Sequence, residues 1–300
     1  MSRVLLTGAG GFLGSRALAA LLEAGHEVHA VGRGEPPVNS AAVWHRVDLT
    51  DPPAAETFVR EVGAERLLHM AWYVEHGRYW QAPENLVWVE ATLRLLRAFV
   101  DGGGRRAVIA GTCAEYGWSL DRYSEATAPL EPATLYGVAK DATRRVAERF
   151  AVNAGIELAW GRVFTPYGPG EAPGRLLPSV IRPLLAGEAA PAPDGEQVRD
   201  LMYVEDVGGA FAAILDSQVQ GALNVGSGRS TPIRELISVA AEAVGRPELI
   251  QWGALPRREG EPRELVADVG RLEHEVGFHP RVGLREGIER TVAWWRERPS

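Results

Sequence analysis

The feature that most constrains the fold of this chain is an apolar segment that runs into a glycine-rich turn and then into a helix. Residues 4–6 are apolar and typical of a buried parallel strand, and glycines follow at positions 8, 11 and 14. Gly8 permits a tight turn, Gly11 lets the backbone approach a pyrophosphate, and Gly14 lets the helix pack on the strand. Because a helix N-terminus attracts anions, the segment predicts a dinucleotide-binding turn rather than a plain loop.

Short apolar runs alternate with helical stretches through the first half of the chain, which is typical of βαβ units. Crossovers between parallel strands are almost always right-handed. The pattern therefore predicts an α/β fold with a doubly wound parallel sheet, the Rossmann arrangement. We expect strands near 3–7, 27–31, 43–47, 66–70, 106–110 and 157–161, and helices near 13–24, 53–61, 84–101 and 135–153.

The composition changes after residue 161, and the frequent prolines over 165–200 indicate loops. A strand-helix-strand rhythm returns over 201–226. We therefore predict a dinucleotide-binding domain over 1–164, rejoined by 201–226. Residues 165–200 and 227–300 are predicted to form a smaller, C-terminal α/β substrate domain, with helices near 176–186, 232–244 and 284–297.

The net charge, the cysteine count and the hydropathy of the chain exclude several kinds of binding partner and site. The formal net charge of −7 argues against a nucleic-acid surface. The single cysteine, Cys113, excludes an intramolecular disulfide and a cysteine cluster for a metal. The chain shows no secretory pattern and no apolar run of membrane-spanning length. We expect a cytoplasmic enzyme or binding protein that acts on a small molecule and has no metal site.

The end of the second strand bears on the choice of dinucleotide. An acidic residue here usually holds the ribose hydroxyls of the adenosine, but no carboxylate occurs before Glu35. Arg33 instead offers a guanidinium where a 2′-phosphate would lie, which favours NADP(H) over NAD(H). A solvated surface arginine is the alternative. Asp48, followed by Leu49, comes after the third strand, where a carboxylate can accept a hydrogen bond from the adenine amino group; a helix cap nearby is the competing role.

Three side chains are candidates for catalysis by proton transfer. Tyr136 and Lys140 are four residues apart, so on a helix the phenol and the ammonium share one face. A phenol with a pKa near 10 is a poor base unless a nearby cation favours the phenolate. Thr112 follows the strand at 106–110, at the edge of the sheet where ligands bind. Its hydroxyl can hold a carbonyl or alkoxide oxygen together with Tyr136.

In this order and spacing, the glycine-rich turn, Thr112 and Tyr136-x-x-x-Lys140 resemble an extended short-chain dehydrogenase/reductase. More narrowly, the chain resembles the NAD-dependent epimerase/dehydratase family, which works on nucleotide-sugars. The resemblance covers nearly the whole chain. It includes four later segments, at 166–170, 195–206, 224–228 and 258–261.

The resemblance implies a role for each matching residue. Thr112, Tyr136 and Lys140 would form the catalytic triad, in which Lys140 lowers the pKa of Tyr136 and holds the nicotinamide ribose. Arg199 and Arg258 would grip the nucleotide diphosphate, with surface salt bridges as the alternative. The remaining cofactor contacts would be Gly8, Gly11, Phe12, Leu13 and Gly14 at the pyrophosphate, Asp48 and Leu49 at the adenine, and Ala71 on the nicotinamide side.

Several positions depart from the family pattern. Relatives often carry Asn where this chain has Thr165 and Arg175, so the details of the substrate differ, and Arg175 is a candidate third phosphate ligand. Dehydratases of the family have an Asp-Glu pair after the catalytic Thr, but this chain has Cys113 and Ala114. Dehydration is therefore disfavoured, although the Cys113 thiol is a candidate acid; a small buried apolar role is the alternative. We expect Glu115 to point away from Thr112.

An aromatic-rich segment follows the fourth predicted strand. Its rings are candidates for stacking on a base or a sugar, and packing beneath a loop explains them equally well. For Trp88, in its helix, packing is favoured. The residues are Trp72, Tyr73, Tyr79, Trp80 and Trp88.

These observations favour an NADPH-dependent reductase that acts on the keto group of a nucleotide-linked sugar of the 4-keto-6-deoxy type. A C4 epimerase or a dehydratase with retained NAD is the alternative, and a cofactor-sensing binding protein is a further one. The resemblance also implies a homodimer through the helices at 84–101 and 135–153. Candidate contacts, which core packing explains as well, are Leu93, Leu96, Val146 and Phe150.

Overall fold

Seven strands and four α-helices make up the chain as far as Val163 in a computed structural model, which describes residues 2–36, 40–256 and 260–298. A one-turn 3₁₀ helix at Cys113–Glu115 follows the fifth strand. The strands of this part are β1 (Arg3–Thr7), β2 (Glu27–Val31), β3 (Val43–His45), β4 (Arg66–His69), β5 (Arg106–Thr112), β6 (Arg122–Tyr123) and β7 (Glu157–Val163). The helices are α1 (Gly14–Glu23), α2 (Pro52–Val62), α3 (Glu84–Asp101) and α4 (Leu135–Ala154).

The strands in the rest of the chain are mostly shorter. They are β8 (Thr165–Tyr167), β9 (Ala190–Pro191), β10 (Val198–Arg199), β11 (Leu201–Tyr203), β12 (Gly221–Val225), β13 (Thr231–Pro232), β14 (Ile250–Gln251) and β15 (Glu264–Ala267). The helices are α5 (Leu176–Ala186), α6 (Val204–Asp216), α7 (Ile233–Val244), α8 (Gly270–His274) and α9 (Leu284–Arg296).

A seven-stranded sheet in the order β12-β7-β5-β4-β1-β2-β3 forms the centre of the molecule. Each of its strand pairs is parallel. The prediction of a doubly wound parallel sheet is confirmed. The strand order reverses between β1 and β4, and this is where such sheets bind ligands, at the carboxyl ends of the strands.

The sheet is covered on both faces, which explains why its strands are apolar runs. Val4 and Leu6 of β1 pack in one core with α1 and α6, whereas Leu5 between them packs in the other core with α2 and α3. Alternate residues of a strand point to opposite faces, so a single three-residue run serves both cores.

Strand β5 is two residues longer than the predicted 106–110, because its pairing with β7 continues to Thr112 opposite Val163. Every residue of β5 is buried. The extension fixes Thr112 at the carboxyl edge of the sheet, next to the reversal of strand order.

The C-terminal elements form a separate apolar core from helices α5, α7 and α9, with Leu177, Ile181, Ile237 and Ile288 among its buried members. A four-stranded sheet in the order β13-β10-β15-β6 adjoins it. Strand β12 pairs with β7 of the central sheet. The division into two domains with the predicted boundaries stays a prediction. No helix in the described ranges is long and apolar enough to cross a membrane.

Two adjacent glycines of α6 give a matched test of the helix packing. A Cβ on Gly208 would lie 2.5 Å from the carbonyl carbon of Arg16 in α1, whereas on Gly209 it would meet only the end of the Phe278 ring, at 3.3 Å. We expect Gly208→Ala to lower the free energy of unfolding by about 1–3 kcal/mol, because the α1 backbone cannot move aside. Gly209→Ala should change it by less than about 1 kcal/mol, since the gain in helix propensity offsets a small ring shift. Urea unfolding of both variants checks this, and equal losses would contradict it.

Candidate active site

The glycine-rich turn is closed by contacts that leave no room for side chains. Gly8 has φ +73°, and a Cβ on it would lie 2.8 Å from the backbone nitrogen of Ala71, at the end of β4. A Cβ on Gly14 would overlap the Gly8 carbonyl oxygen. The Gly11 N–H donates to the same oxygen at 2.9 Å. This cradle of bare backbone at the start of α1 fits the pyrophosphate of a dinucleotide.

The turn also contacts a loop from the C-terminal part of the chain. Arg16 donates to the carbonyl oxygen of Pro169 at 2.9 Å, and the Phe12 ring lies beside Gly170. Leu13 caps α1 without a side-chain hydrogen bond. Phe12 and Leu13 thus lie at the start of α1, as the resemblance implies, and their contact with a cofactor stays a prediction.

The adenosine end of the predicted cofactor site contains a side chain that the sequence reasoning missed. The Trp44 indole lies against Gly32, where any Cβ would overlap it, and its N–H donates to the Gly34 carbonyl at 3.0 Å. Arg33 is exposed. The bare Gly32 position therefore accommodates the Trp44 ring, and a 2′-phosphate beside Arg33 stays a prediction.

Asp48 is exposed, whereas Leu49 is buried in the core beside α2. Asp48 accepts hydrogen bonds from the Thr50 backbone N–H at 2.9 Å and from its hydroxyl at 2.7 Å. These bonds, together with the nearby charge of Arg33, lower the pKa of the Asp48 carboxyl. Asp48 thus remains ionised and able to accept a further hydrogen bond, as an adenine contact requires.

Thr112 and Tyr136 meet at the carboxyl edge of β5. The Thr112 hydroxyl accepts from the Ala114 N–H at 3.2 Å, and Tyr136 lies in the first turn of α4. Burial raises the pKa of the Tyr136 phenol, and a side-chain hydrogen bond with Thr112 opposes that rise. The Tyr136 phenol is therefore close to Thr112, and the action of the two hydroxyls as members of a catalytic triad stays a prediction.

Lys140 lies one turn further along α4, with its side chain buried. Its Nζ donates to the Ala110 carbonyl at 2.8 Å and lies 3.8 Å from the centre of the Trp72 ring, a cation–π contact. Burial lowers the pKa of Lys140 to about 7, and the charge of Glu115 opposes the fall. Lys140 is also the only lysine in the sequence. The presence of a single lysine, at this position, was a signal for a functional role that the sequence reasoning did not use.

The pKa of the Tyr136 phenol differs from the sequence-based expectation. The ammonium of Lys140 was expected to lower the pKa of Tyr136, but the largest influence in the structure is burial, which raises it. The aromatic neighbours of Tyr136 explain the dry surroundings. The Tyr79 and Trp80 rings contact it edge-on, with ring centres 4.9 and 5.9 Å away. The phenol is consequently neutral at pH 7 in this state.

Most of the aromatic-rich segment packs within the protein. The Trp72 indole is buried and donates to Asn85 Oδ1 at 2.9 Å. Trp88 packs partly against the core, as favoured from the sequence, and its ring centre is 6.2 Å from that of Trp72. Tyr73 donates its hydroxyl to Glu75 Oε2 at 2.8 Å. The rings of this segment that lie closest to the phenol are therefore those of Tyr79 and Trp80.

The residues after Thr112 do not form an acid–base pair. Cys113 is buried, and burial raises the pKa of its thiol to about 12. Its Sγ lies 4.0 Å from the Phe164 carbonyl oxygen. The side chain therefore packs as a small apolar group, one of the two interpretations given above.

Glu115 does not point away from Thr112, contrary to our expectation. Its side chain is fully buried and accepts from the Thr112 backbone N–H at 2.9 Å. Thr112 and Glu115 form a capping box around the 3₁₀ turn. The spacing Thr-x-x-Glu was the signal for it, but strand alternation was applied where a helical turn begins.

The candidate substrate arginines are held by carboxylates. Arg199 is buried and donates to Glu261 Oε1 at 2.6 Å, and Arg175 donates to Glu171 Oε1 at 3.0 Å. Burial raises the pKa of Glu171 to about 7. Thr165 lies in β8, paired with Leu201. Arg258 lies outside the described residues.

Among the residues described, no group of three or more candidate ligands could hold a metal ion.

The sheet, the glycine-rich turn and the Thr-Tyr-Lys arrangement define an enzyme of the extended short-chain dehydrogenase/reductase type. The profile of the NAD dependent epimerase/dehydratase family matches residues 4–226. The chain belongs to this family.

Individual relatives match over nearly their full length. A dTDP-glucose 4,6-dehydratase of Streptomyces griseus is 29% identical, covering 100% of this chain and 95% of that protein. The structure of MoeE5 in complex with UDP-glucose and NAD is 34% identical, with a TM-score of 0.84 and coverage of 98% and 99%. The NAD complex of UDP-glucose 4-epimerase from Thermus thermophilus is 30% identical, with a TM-score of 0.86 and the same coverage.

The buried Lys140 predicts how stability depends on pH. Its folded-state pKa of about 7 lies below its unfolded value, so between these values the unfolded chain binds more protons and stability rises with pH. We expect the free energy of unfolding of the cofactor-free wild type, relative to Lys140→Met, to rise above pH 7 by up to about 1.4 kcal/mol per pH unit. Denaturant unfolding from pH 6 to 9 measures this. A pH-independent difference would contradict it.

Proposed function

We propose that this chain catalyses hydride transfer at one carbon of a nucleotide-linked hexose and that its net reaction is epimerisation at C4 with retained NAD. The observation that carries the proposal is the paired Thr112 and Tyr136 hydroxyls one helical turn from Lys140, without an acid–base pair after Thr112. The family and the relatives crystallised with NAD and UDP-sugars support it.

The chain's own residues supply the proton transfers of such a reaction. A bound nicotinamide would accept a hydride from the sugar carbon and return it. Tyr136 would take the proton of the sugar hydroxyl during oxidation and give it back during reduction. The Thr112 hydroxyl would hold the reacting oxygen. The Lys140 ammonium would favour the phenolate when the phenol must act as a base.

Dehydration is less well supported, although a relative is a 4,6-dehydratase. Elimination of water needs one group to remove a proton from carbon and another to protonate the leaving hydroxyl. Ala114 can do neither. Cys113, with the pKa of its buried thiol raised to about 12, is poorly suited to both.

An NADPH-dependent ketoreductase is the second candidate. Two observations favour it: Arg33 takes the place of a ribose-binding carboxylate, and the neutral Tyr136 phenol is ready to donate a proton to a carbonyl. The NADP(H) preference belongs to this alternative. Arg33→Ala should then weaken NADPH binding selectively and leave NADH binding unchanged.

We also propose a nucleotide-diphosphate sugar as the substrate. Arg175 and Arg199 both lie outside the central sheet, and guanidinium groups suit phosphate oxygens. Each is paired with a carboxylate that holds its orientation. Arg258 remains a candidate from the sequence alone.

A homodimer through α3 and α4 is part of the proposal. Leu86 and Val87 of α3 and Val146 of α4 are exposed apolar side chains. Leu96 is buried in the core, which is the alternative given for it, and Leu93 and Phe150 pack partly against the same core. Light scattering of the wild type and of Leu86→Glu tests the dimer.

The decisive experiment measures bound cofactor and turnover with a panel of UDP- and dTDP-hexoses in D₂O. Epimerisation returns the hydride to the same carbon, so co-purified NAD and a C4 epimer without solvent deuterium are expected. Dehydration would place deuterium on carbon, because a C–H bond is broken as a proton. Reduction would consume added NADPH with a keto-sugar. Binding of NAD without turnover of any substrate would leave the cofactor-sensing alternative.

Tyr136→Phe tests the assignment of the proton-transfer group. We expect turnover to fall by about 10²–10⁴-fold, because the phenol proton is lost while the ring and its packing remain. Tyr167→Phe is the matched control, since Tyr167 is also buried and its hydroxyl donates a hydrogen bond to the Leu284 carbonyl at 3.4 Å. Similar turnover in Tyr136→Phe and in the control would overturn the assignment.

A further inference from the structure

A fully buried carboxylate lies beside the proposed catalytic groups. Glu115 Oε1 accepts from the Thr112 backbone N–H at 2.9 Å and from the Trp160 indole N–H at 2.8 Å. Its Oε2 accepts from Arg162 Nε at 2.8 Å. These bonds fix the carboxylate from three sides: the 3₁₀ turn and two positions of β7.

The charges around Glu115 are mostly positive. Arg162 is buried and is also bonded to the Tyr116 hydroxyl at 3.1 Å. Arg144 of α4 approaches Glu115 Oε2 to 3.9 Å, and it is bonded to Asp141 and Glu148 of its own helix. The charge of Glu115 also acts on Lys140.

The groups that contact Lys140 Nζ are uncharged. Its Nζ faces the rings of Trp72 and Trp160 and the Ala110 carbonyl. His69 is neutral, because burial and the charge of Lys140 lower its pKa to about 3. Burial keeps the Tyr136 phenol neutral as well. Glu115 is therefore the anion that the buried Arg162 and Lys140 share.

The three cations around Glu115 differ in how they would respond to its loss. A guanidinium does not release its proton in a protein, whereas a buried lysine does so readily. Without the carboxylate, Lys140 would face the uncompensated positive charge of Arg162 in a dry region, since Arg144 keeps its bonds to Asp141 and Glu148. It would be the group to give up its proton.

We propose that Glu115 is a positioning residue that holds the Thr112 backbone through its N–H and keeps Lys140 in the ammonium form. This inference rests on the proposed function in one respect, namely that Thr112 and Lys140 act in catalysis. Glu115 itself touches neither substrate nor cofactor in this scheme.

The single lysine makes the charge effect directly measurable. Protein labelled with ¹³Cε-lysine gives one lysine NMR signal, whose pH titration reports the protonation of Lys140. We expect a midpoint near pH 7 in the wild type and a midpoint lower by about one pH unit in Glu115→Gln, which keeps the size of the side chain and removes its charge. Arg162→Gln should shift the midpoint upward. Asp206→Asn, which changes a buried carboxylate bonded to residues 281 and 282, should leave it unchanged.

Glu115→Asp separates the two actions, because it keeps the charge on a side chain one methylene shorter. We expect the Lys140 midpoint to stay near that of the wild type, while kcat falls about tenfold or more with a smaller change in KM, since Thr112 is no longer held. In Glu115→Gln, the basic limb of the kcat–pH profile should move to lower pH together with the lysine signal.

Several results would overturn the proposal. An unshifted lysine midpoint in folded Glu115→Gln would contradict the proposed effect of the Glu115 charge on Lys140. A wild-type kcat in Glu115→Asp would contradict the proposed positioning of Thr112. If Glu115→Gln does not fold, the absence of an upward shift in Arg162→Gln is decisive. A wild-type midpoint far below pH 6 would also overturn it. The titration needs no substrate, so a wrong proposed function leaves it readable.

Discussion

The structure depends on how closely the backbones of β1 and β4 approach at the point where the strand order reverses. Gly8 lies against Ala71, and Gly14 lies against the Gly8 carbonyl, in each case at a distance that excludes a side chain. Because α1 can therefore start directly at the sheet, its free N–H groups open onto the same edge as the ends of β4 and β5. The turn proposed to bind a pyrophosphate and the Thr112 hydroxyl proposed to act in catalysis then lie at one edge of the sheet.

The two ionisable side chains of the candidate active site have apolar surroundings. Tyr136 and Lys140 are both buried, among Trp72, Tyr79 and Trp80, so burial opposes the charged form of each. Lys140, whose pKa burial lowers to about 7, is therefore close to a change of protonation at neutral pH, whereas the Tyr136 phenol is held neutral. If a positively charged nicotinamide binds here, its charge would lower the pKa of both groups, whereas the charge of Glu115 raises the pKa of both.

Local sequence patterns were sufficient to predict the sheet, the glycine-rich turn and the helix that carries Tyr136 and Lys140. Each of these depends on residues a few positions apart, where periodicity and turn chemistry apply. Contacts between distant segments were not predictable in this way. The Trp44 ring on Gly32, the bond from Arg162 to Glu115 and the pairing of Arg199 with Glu261 join segments 12 to 62 residues apart. Nothing in the neighbouring sequence specifies these pairs, because they arise only when the strands are assembled.

The position of Glu115 is set by the 3₁₀ turn that follows Thr112. In dehydratases that the sequence resembles, acidic residues directly follow the catalytic Thr, whereas here the acid stands three residues after Thr112. A 3₁₀ helix has three residues per turn, so the side chain at that position lies over the first residue of the turn and reaches its backbone N–H. Glu115 is thereby bonded to Thr112, Trp160 and Arg162, and both of its oxygens are occupied inside the protein. A carboxylate at this position thus fixes the turn, and its oxygens are engaged by the protein rather than left open to a substrate.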